Sequence, residues 1–190
     1  MIKKHGATPA IQLGHSGRKG SCHGAMEDWR PLDETDAANG LPPWQVMTPT
    51  AEIRPPRPIP HKEMDQADIN QVINDFRTAT KLSIDAGYDI AEIHGAHGYL
   101  IHQFLSSASN QRQDSYGGSL ENRMRFAIEV ASAVRDLWPK QHPVFFRLSA
   151  VDSRGGSWTL SEAVALAKAL RDVGIDMIDV SSGGITGSSN

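Results

Sequence analysis

The chain has 190 residues, of which 39% are hydrophobic and 22% charged, a balance typical of one globular domain with a substantial core. The formal net charge of -3 gives no reason to expect nucleic acid or an acidic membrane surface as a partner. No apolar stretch approaches the roughly 20 residues that span a bilayer, and residues 1–4 are not followed by the apolar run of a secretory signal. Cys22 is the single cysteine, so no internal disulfide can form, which fits a reducing cytoplasm.

Four short, mostly apolar stretches are predicted to be strands, at residues 7–13, 88–93, 144–148 and 176–181. Three helices with apolar residues at helical spacing are predicted between them. Their expected N-caps are Asp65, Ser119 and Thr159, and their expected ends lie before Gly87, Pro139 and Gly174. Residues 14–64 are predicted to be a long irregular connection, which contains a proline-rich run at 54–60.

Strands that alternate with helices indicate parallel strands joined by right-handed crossovers. The long loops and polar clusters follow strands, which favours a (β/α)₈ TIM barrel with its site on one face. A doubly wound sheet is the alternative, but Gly14-His15-Ser16-Gly17 is not the glycine-rich phosphate turn that such a sheet usually carries. We therefore predict an α/β fold in which residues 1–190 form a single, incomplete TIM-barrel domain, because four strands are half of a closed barrel.

The run Glu92–Leu100 follows a predicted strand and contains His94, His97 and Tyr99. Two imidazoles that donate hydrogen bonds, beside a phenol that donates a proton, suit a substrate whose oxygen becomes negative while a neighbouring carbon is protonated. Two other interpretations stay open. The pair could ligate a metal together with His102, although no carboxylate or thiol at ligand spacing completes the set, or it could only cap backbone groups.

Gln12 and Arg147 are polar residues in otherwise apolar strands. The amide of Gln12 can donate and accept, which suits the uracil-like edge of a heterocycle, and its alternative partner is a neighbouring backbone group. A guanidinium in the position of Arg147 requires a negative partner. That partner is either a structural carboxylate or a cofactor that becomes anionic on reduction.

Residues 110–123 are dense in hydrogen-bonding groups and are interpreted as mainly architectural. Gly117 and Gly118 are expected to turn the chain into the helix that Ser119 caps, while Arg112, Asp114 and Arg123 brace the loop.

At these residues the sequence resembles the Old Yellow Enzyme family of FMN-dependent ene-reductases, and its thermophilic-like bacterial NADPH dehydrogenase branch in particular. The matching stretches are residues 11–19, 94–100, 110–123 and 146–150. The resemblance implies a (β/α)₈ barrel with FMN at the carboxyl-terminal face of its strands and NADPH or NADH as the reductant. It also implies a small-molecule substrate, such as an α,β-unsaturated carbonyl or nitro compound, a cytoplasmic enzyme and a possible homo-oligomer.

Carried over by position, the resemblance implies that Gln12 binds the pyrimidine edge of the flavin. It also implies that Arg147 lies beside the part of the flavin that becomes negatively charged when the flavin is reduced. His94 and His97 would hold the substrate oxygen, Tyr99 would be the proton donor, and no metal is expected. The four strands would correspond to the third to sixth of the family barrel, without the strands that supply the phosphate site. Two alternatives remain: a metal-dependent barrel hydrolase or aldolase, and a catalytically inactive remnant.

Overall fold

The computed structural model describes residues 2–51, 61–152 and 156–185. The strands of these ranges are β1 (Ala10–Leu13), β2 (Val46–Thr48), β3 (His61–Glu63), β4 (Ile90–Gly95), β5 (Val144–Ser149) and β6 (Met177–Ser181). The α-helices are α1 (Glu34–Ala38), α2 (Gln66–Asp85), α3 (Leu100–Leu105), α4 (Leu120–Arg135) and α5 (Leu160–Asp172). Short 3₁₀ helices occupy Ile2–His5, Gly17–Lys19 and Ala25–Glu27. The predicted proline-rich run at 54–60 lies outside the described residues.

The main sheet has four strands in the order β1-β4-β5-β6, and each neighbouring pair is parallel. Helices α2, α4 and α5 lie in the connections between successive strands of this sheet. The prediction of a partial (β/α)₈ barrel is therefore confirmed. The core lies between the sheet and these helices, where Ile93, Phe126, Phe146 and Leu166 are fully buried.

The opposite face of the sheet carries the polar residues, because successive side chains of a strand point to alternate faces. Residues that pair across parallel strands share a face, so the register arranges this face in rows. One row contains Gln12, Glu92, Phe145 and Met177. The next row contains His94, Arg147 and Asp179, and it lies nearer the carboxyl ends of the strands.

The predicted helix starts are confirmed by their capping contacts. The Asp65 and Thr159 side chains form capping boxes at the starts of α2 and α5, and the Ser119 hydroxyl accepts from the Asn122 amide at the start of α4. Gly87 and Gly174 follow the ends of α2 and α5 with φ of 82° and 91°, a left-handed conformation that glycine adopts without strain. No helix in the described part of the chain is long and apolar enough to cross a membrane.

The connection at 14–64 differs from the prediction, because its described part is not irregular throughout. It contains α1 and the two strands β2 and β3, which pair in parallel as a separate two-stranded sheet. Strands of three residues have no detectable alternation in sequence and exist here because they pair with each other. Helix α3 was also not predicted, since its six residues are all buried and therefore show no amphipathic pattern.

The predicted architectural role of residues 110–123 is confirmed. Arg112 forms an ion pair with Asp114 at 2.5 Å and donates to the carbonyl of Met64 at 2.6 Å. Arg123 donates to the carbonyl of Leu105 and pairs with Glu162 at 2.5 Å, which ties α4 to α3 and α5. These contacts fix the loop that leads from α3 into α4.

Candidate active site

The candidate site lies at the carboxyl ends of the main-sheet strands, on the face of the sheet opposite the helices. His94 is the fifth residue of β4, and Arg147 pairs with it in register from β5. Neither residue can turn toward the core without reversing the alternation of its strand, since the neighbouring Ile93 and Phe146 are fully buried there. The sheet register therefore places an imidazole and a guanidinium side by side.

A tight turn after β4 brings His97 and Tyr99 back toward His94. His97 and Gly98 both have positive φ, 57° and 72°, which is uncommon for a residue with a side chain. A β-carbon on Gly98 would lie 2.1 Å from the carbonyl oxygen of Gly184, so only glycine fits at this position. The Ser149 hydroxyl accepts from the His97 amide at 3.1 Å, and Lys19 Nζ donates to the His97 carbonyl at 2.6 Å.

The three predicted rings form one cluster. The ring centroids of His94 and His97 are 5.2 Å apart, and those of His94 and Tyr99 are 4.9 Å apart, both in an edge-to-face arrangement. Lys19 Nζ lies 5.6 Å from the centroid of the Tyr99 ring, within the range of a cation–π contact. The structure thus brings together two imidazoles, a phenol and an ammonium group.

Both imidazoles of the cluster are held in the neutral form at pH 7. Burial, the repulsion that a protonated His97 would exert, and the charge of the nearby Arg147 together lower the pKa of His94 to about 4. Burial also lowers the pKa of His97, with further contributions from Arg147 and Lys19. A neutral imidazole still offers one N–H donor, so the pair can donate hydrogen bonds to a ligand oxygen without carrying a charge of its own.

Gln12 reaches the same region from β1. Its side-chain Nε2 donates to Glu92 Oε2 at 2.5 Å, so its partner is a carboxylate of the neighbouring strand rather than the backbone group considered above. An open cavity of about 340 Å³ is lined by Gln12, Gly14, His15, Ser16, His94 and Tyr99. Gln12 therefore shares a cavity with two of the three rings.

Arg147 has the negative partner that its position required. Its Nε lies 3.4 Å from Asp179 Oδ2 on β6, and both side chains remain about one-third exposed. The two groups are close enough to form an ion pair, but their geometry is not that of a hydrogen bond. Nε has no hydrogen-bond partner among the described residues. Arg147 is therefore only partly neutralised and can still bind an anion.

Four contributing residues were not singled out from the sequence: Lys19, Ser149, Asp179 and Ser181. His97 Nε2 shares a hydrogen bond of 2.5 Å with Ser181 Oγ, and Ser149 Oγ donates to the Gly183 carbonyl at 3.0 Å. Ser149 and Ser181 are the last residues of β5 and β6 and pair with each other. Their position at the ends of predicted strands was the signal that could have identified them.

The metal interpretation finds no support in this geometry. The described residues contain no group of three His, Cys, Asp or Glu side chains placed to hold a metal ion. His102, which that alternative interpretation would use as a third ligand, is fully buried, and its Nδ1 already accepts from the Gly98 amide at 3.0 Å. His102 therefore belongs to the scaffold of the turn.

A half-barrel of parallel strands with such a cluster at their carboxyl ends defines a (β/α)₈-barrel protein whose site is built from βα loops. The chain belongs to the NADH:flavin oxidoreductase / NADH oxidase family, whose model matches residues 1–188. The resemblance to the Old Yellow Enzyme family is thereby confirmed, while the roles of the individual site residues remain predictions.

Relatives with similar sequences cover nearly the whole chain. An NADPH dehydrogenase of Clostridium acetobutylicum is 44% identical over 185 residues, which are 97% of this chain and 49% of that protein. An NADPH dehydrogenase of a Geobacillus species is 41% identical over 97% of this chain and 48% of its own length. An NADH:flavin oxidoreductase of Gibberella zeae is 42% identical over 92% of this chain and 45% of its own length. The chain spans about half the length of these relatives.

Solved structures show the same architecture. A 2-naphthoyl-CoA reductase in complex with 2-naphthoyl-CoA has a TM-score of 0.79 at 29% identity, over 96% of this chain and 27% of that chain. The Old Yellow Enzyme homologue of Zymomonas mobilis has a TM-score of 0.75 at 25% identity, over 98% of this chain and 51% of that chain. Morphinone reductase in complex with tetrahydroNAD has a TM-score of 0.72 at 26% identity, over 94% of this chain and 50% of that chain.

Proposed function

We propose that this chain carries the substrate site of an FMN-dependent oxidoreductase that uses NADPH or NADH to reduce activated alkenes. The observation that carries the proposal is the ring cluster, in which His94 lies 5.2 Å from His97 and 4.9 Å from Tyr99 between ring centroids. Substrates of this class are α,β-unsaturated carbonyl and nitro compounds.

The cofactor accounts for one part of the chemistry. FMN, when bound, supplies a hydride received from the reduced nicotinamide, and hydride addition to an activated alkene places negative charge on the carbonyl or nitro oxygen. The remaining requirements are hydrogen-bond donors for that oxygen and a proton for the adjacent carbon. The protein must supply both the hydrogen-bond donors and the proton.

His94 and His97 meet the first requirement. Their lowered pKa values keep both rings neutral at pH 7, so each can present an N–H to the developing negative oxygen. His94 Nδ1 is buried and has no hydrogen-bond partner among the described residues, and an unsatisfied buried polar atom of this kind usually has a ligand or an ordered water as its partner. On His97, a ligand oxygen that approaches Nε2 would replace Ser181 as its partner.

Tyr99 meets the second requirement. Its ring packs edge to face against His94, so the phenol is held beside the predicted oxygen site without being part of it. Lys19 Nζ lies 5.6 Å from the centroid of the Tyr99 ring, a cation–π contact that helps to hold the phenol in this position. A general acid in this position contributes about 10²–10⁴-fold to the rate.

Gln12 and Arg147 are the residues that would hold the flavin ring. Gln12 lines the cavity that His94 and Tyr99 also line, and its amide can pair with the pyrimidine edge. Arg147 carries a buried Nε without a hydrogen-bond partner among the described residues, and its charge is only partly balanced by Asp179. A buried donor of this kind fits a ring that becomes anionic on reduction.

The names of the similar proteins support the proposal at the level of reaction class. The sequence relatives are called NADPH dehydrogenases and an NADH:flavin oxidoreductase, and two of the similar structures are reductases. Morphinone reductase was solved with a nicotinamide analogue.

The test is a titration of the purified protein with FMN, followed by anaerobic reduction with NADPH and mixing with 2-cyclohexen-1-one. The proposal expects flavin absorbance that bleaches with NADPH and returns when the enone is added. Flavin binding without enone-dependent reoxidation would exclude alkene reduction. Absence of flavin binding would favour the inactive remnant instead.

A further inference from the structure

His102 is a buried histidine that the proposed chemistry does not use. It lies in α3, and none of its surface is exposed. Its Nδ1 accepts a hydrogen bond of 3.0 Å from the Gly98 amide, the residue between His97 and Tyr99. Because Nδ1 is the acceptor, the neutral ring must carry its proton on Nε2.

The other side of the His102 ring faces a buried carboxylate. Nε2 lies 3.4 Å from Asp152 Oδ1, a contact that does not have hydrogen-bond geometry, and both side chains are completely buried. The second oxygen of Asp152 accepts from the hydroxyls of Ser106 and Ser157, at 2.8 and 2.7 Å. Asp152 follows β5, so this arrangement links the turn after β4 to the loop after β5.

The Gly98 peptide is held from two directions. Its amide donates to His102, and its carbonyl accepts from Gln103 Nε2 at 2.7 Å in a fully buried contact. Gln103 Oε1 in turn accepts from the Arg18 amide at 3.3 Å, which adds the loop after β1. The φ of 57° at His97 is a left-handed conformation that costs energy for a residue with a side chain, so the contacts at Gly98 help to hold the turn in place.

We propose that His102 is a positioning residue that fixes the turn at 97–99 through Gly98 and thereby sets His97 and Tyr99 in their places around His94. Its role in catalysis rests on the proposed function, whereas its effect on the turn does not. Burial lowers the pKa of His102, while Asp152 opposes that effect, so the ring stays neutral and Nδ1 remains an acceptor at pH 7.

Two substitutions of similar size separate positioning from packing. In His102→Asn, the amide oxygen can take the place of Nδ1 and accept from Gly98, while the contact with Asp152 is lost. In His102→Gln, the amide nitrogen can reach the place of Nε2 and donate to Asp152, while the acceptor for Gly98 is lost. Urea unfolding of both variants checks that each one folds.

The primary measurement is NMR of the histidine and tyrosine rings in the ligand-free chain, and the second is a titration with p-chlorophenol. We expect the nuclear Overhauser contacts between His94 and Tyr99 to persist in His102→Asn and to weaken in His102→Gln. In His102→Gln the pKa of His97 should rise toward its ordinary value, as the ring becomes less buried and moves away from Arg147 and Lys19. Phenol affinity should fall about tenfold in His102→Gln and stay within about twofold in His102→Asn.

Unchanged ring contacts and an unchanged His97 pKa in a folded His102→Gln variant would overturn the proposal. Equal changes in both variants would also overturn it, because they would indicate packing alone. If the unsubstituted chain binds no phenol, the proposed function fails. The ligand-free NMR comparison then still decides whether His102 positions the turn.

Discussion

His94 and Tyr99 face each other across the turn that follows β4, with ring centroids 4.9 Å apart and planes inclined at 66°. Lys19 lies 5.6 Å from the centroid of the Tyr99 ring. The phenol is thus held between a neutral imidazole and an ammonium group. In the proposed function, this arrangement would separate the group that binds the substrate oxygen, His94, from the group that donates the proton, Tyr99.

Replacing Tyr99 with Phe should slow reoxidation of the reduced flavin by 2-cyclohexen-1-one by about 10²-fold or more, because a general acid is removed. Reduction of the flavin by NADPH should be nearly unchanged, since that half-reaction needs no proton from the phenol. Stopped-flow absorbance of the flavin measures both rates. Tyr88→Phe, two residues before the start of β4, is the matched control. Equal slowing of both half-reactions would contradict the role of Tyr99.

The stability of the chain should fall as the pH drops from about 6.5 toward 4, partly because of His94. Its pKa is lowered to about 4 in the folded chain, so the unfolded chain binds more protons between these values. The loss attributable to His94 between pH 6.5 and 4.5 should be about 1–2 kcal/mol, after a discount for its partial exposure. Urea unfolding at several pH values measures it.

His94→Gln should therefore show a smaller loss of stability over this pH range than the unsubstituted chain. His5→Gln, at an exposed histidine near the start of the chain, is the control for the loss of an imidazole. An identical pH dependence in His94→Gln and the unsubstituted chain would show that His94 titrates alike in the folded and unfolded states.

Much of this fold could be predicted because its signals are local. The caps at Asp65, Ser119 and Thr159 depend on residues three positions apart, and the strands of the main sheet are apolar runs. The cluster of His94, His97 and Tyr99 could also be predicted, since its members are close in sequence.

The contacts that could not be predicted join distant parts of the chain. Asp179 meets Arg147 only because β5 and β6 pair in one particular register, and Ser181 meets His97 through the turn after β4. The alternation of each strand shows which residues share a face, but not which residue of β5 pairs with which residue of β6. The sequence shows the spacing of His102 from His97, which made a metal ligand one interpretation. The sequence does not show that His102 is buried against Asp152.

The ion pair of Arg123 and Glu162 should matter for stability. Arg123 is buried and also donates to the carbonyls of Leu105 and Gly118, so Arg123→Ala removes hydrogen bonds to three acceptors. The expected loss is about 3 kcal/mol in the free energy of unfolding, measured by urea denaturation. Arg171→Ala, which breaks an exposed pair with Asp172, should cost less than about 1 kcal/mol. Similar losses for both variants would contradict the bracing role of Arg123.

The central claim is that His94 and His97 bind a negative oxygen, and phenol binding tests it most directly. The flavin-loaded protein is titrated with p-chlorophenol, and the flavin absorbance is followed. We predict that His94→Ala and His97→Ala each weaken phenol affinity by about 10–100-fold, the loss of one hydrogen bond to a charged group. His142→Ala, a histidine replacement before β5, should leave it unchanged. Phenol affinity that is the same in all four proteins would contradict the claim.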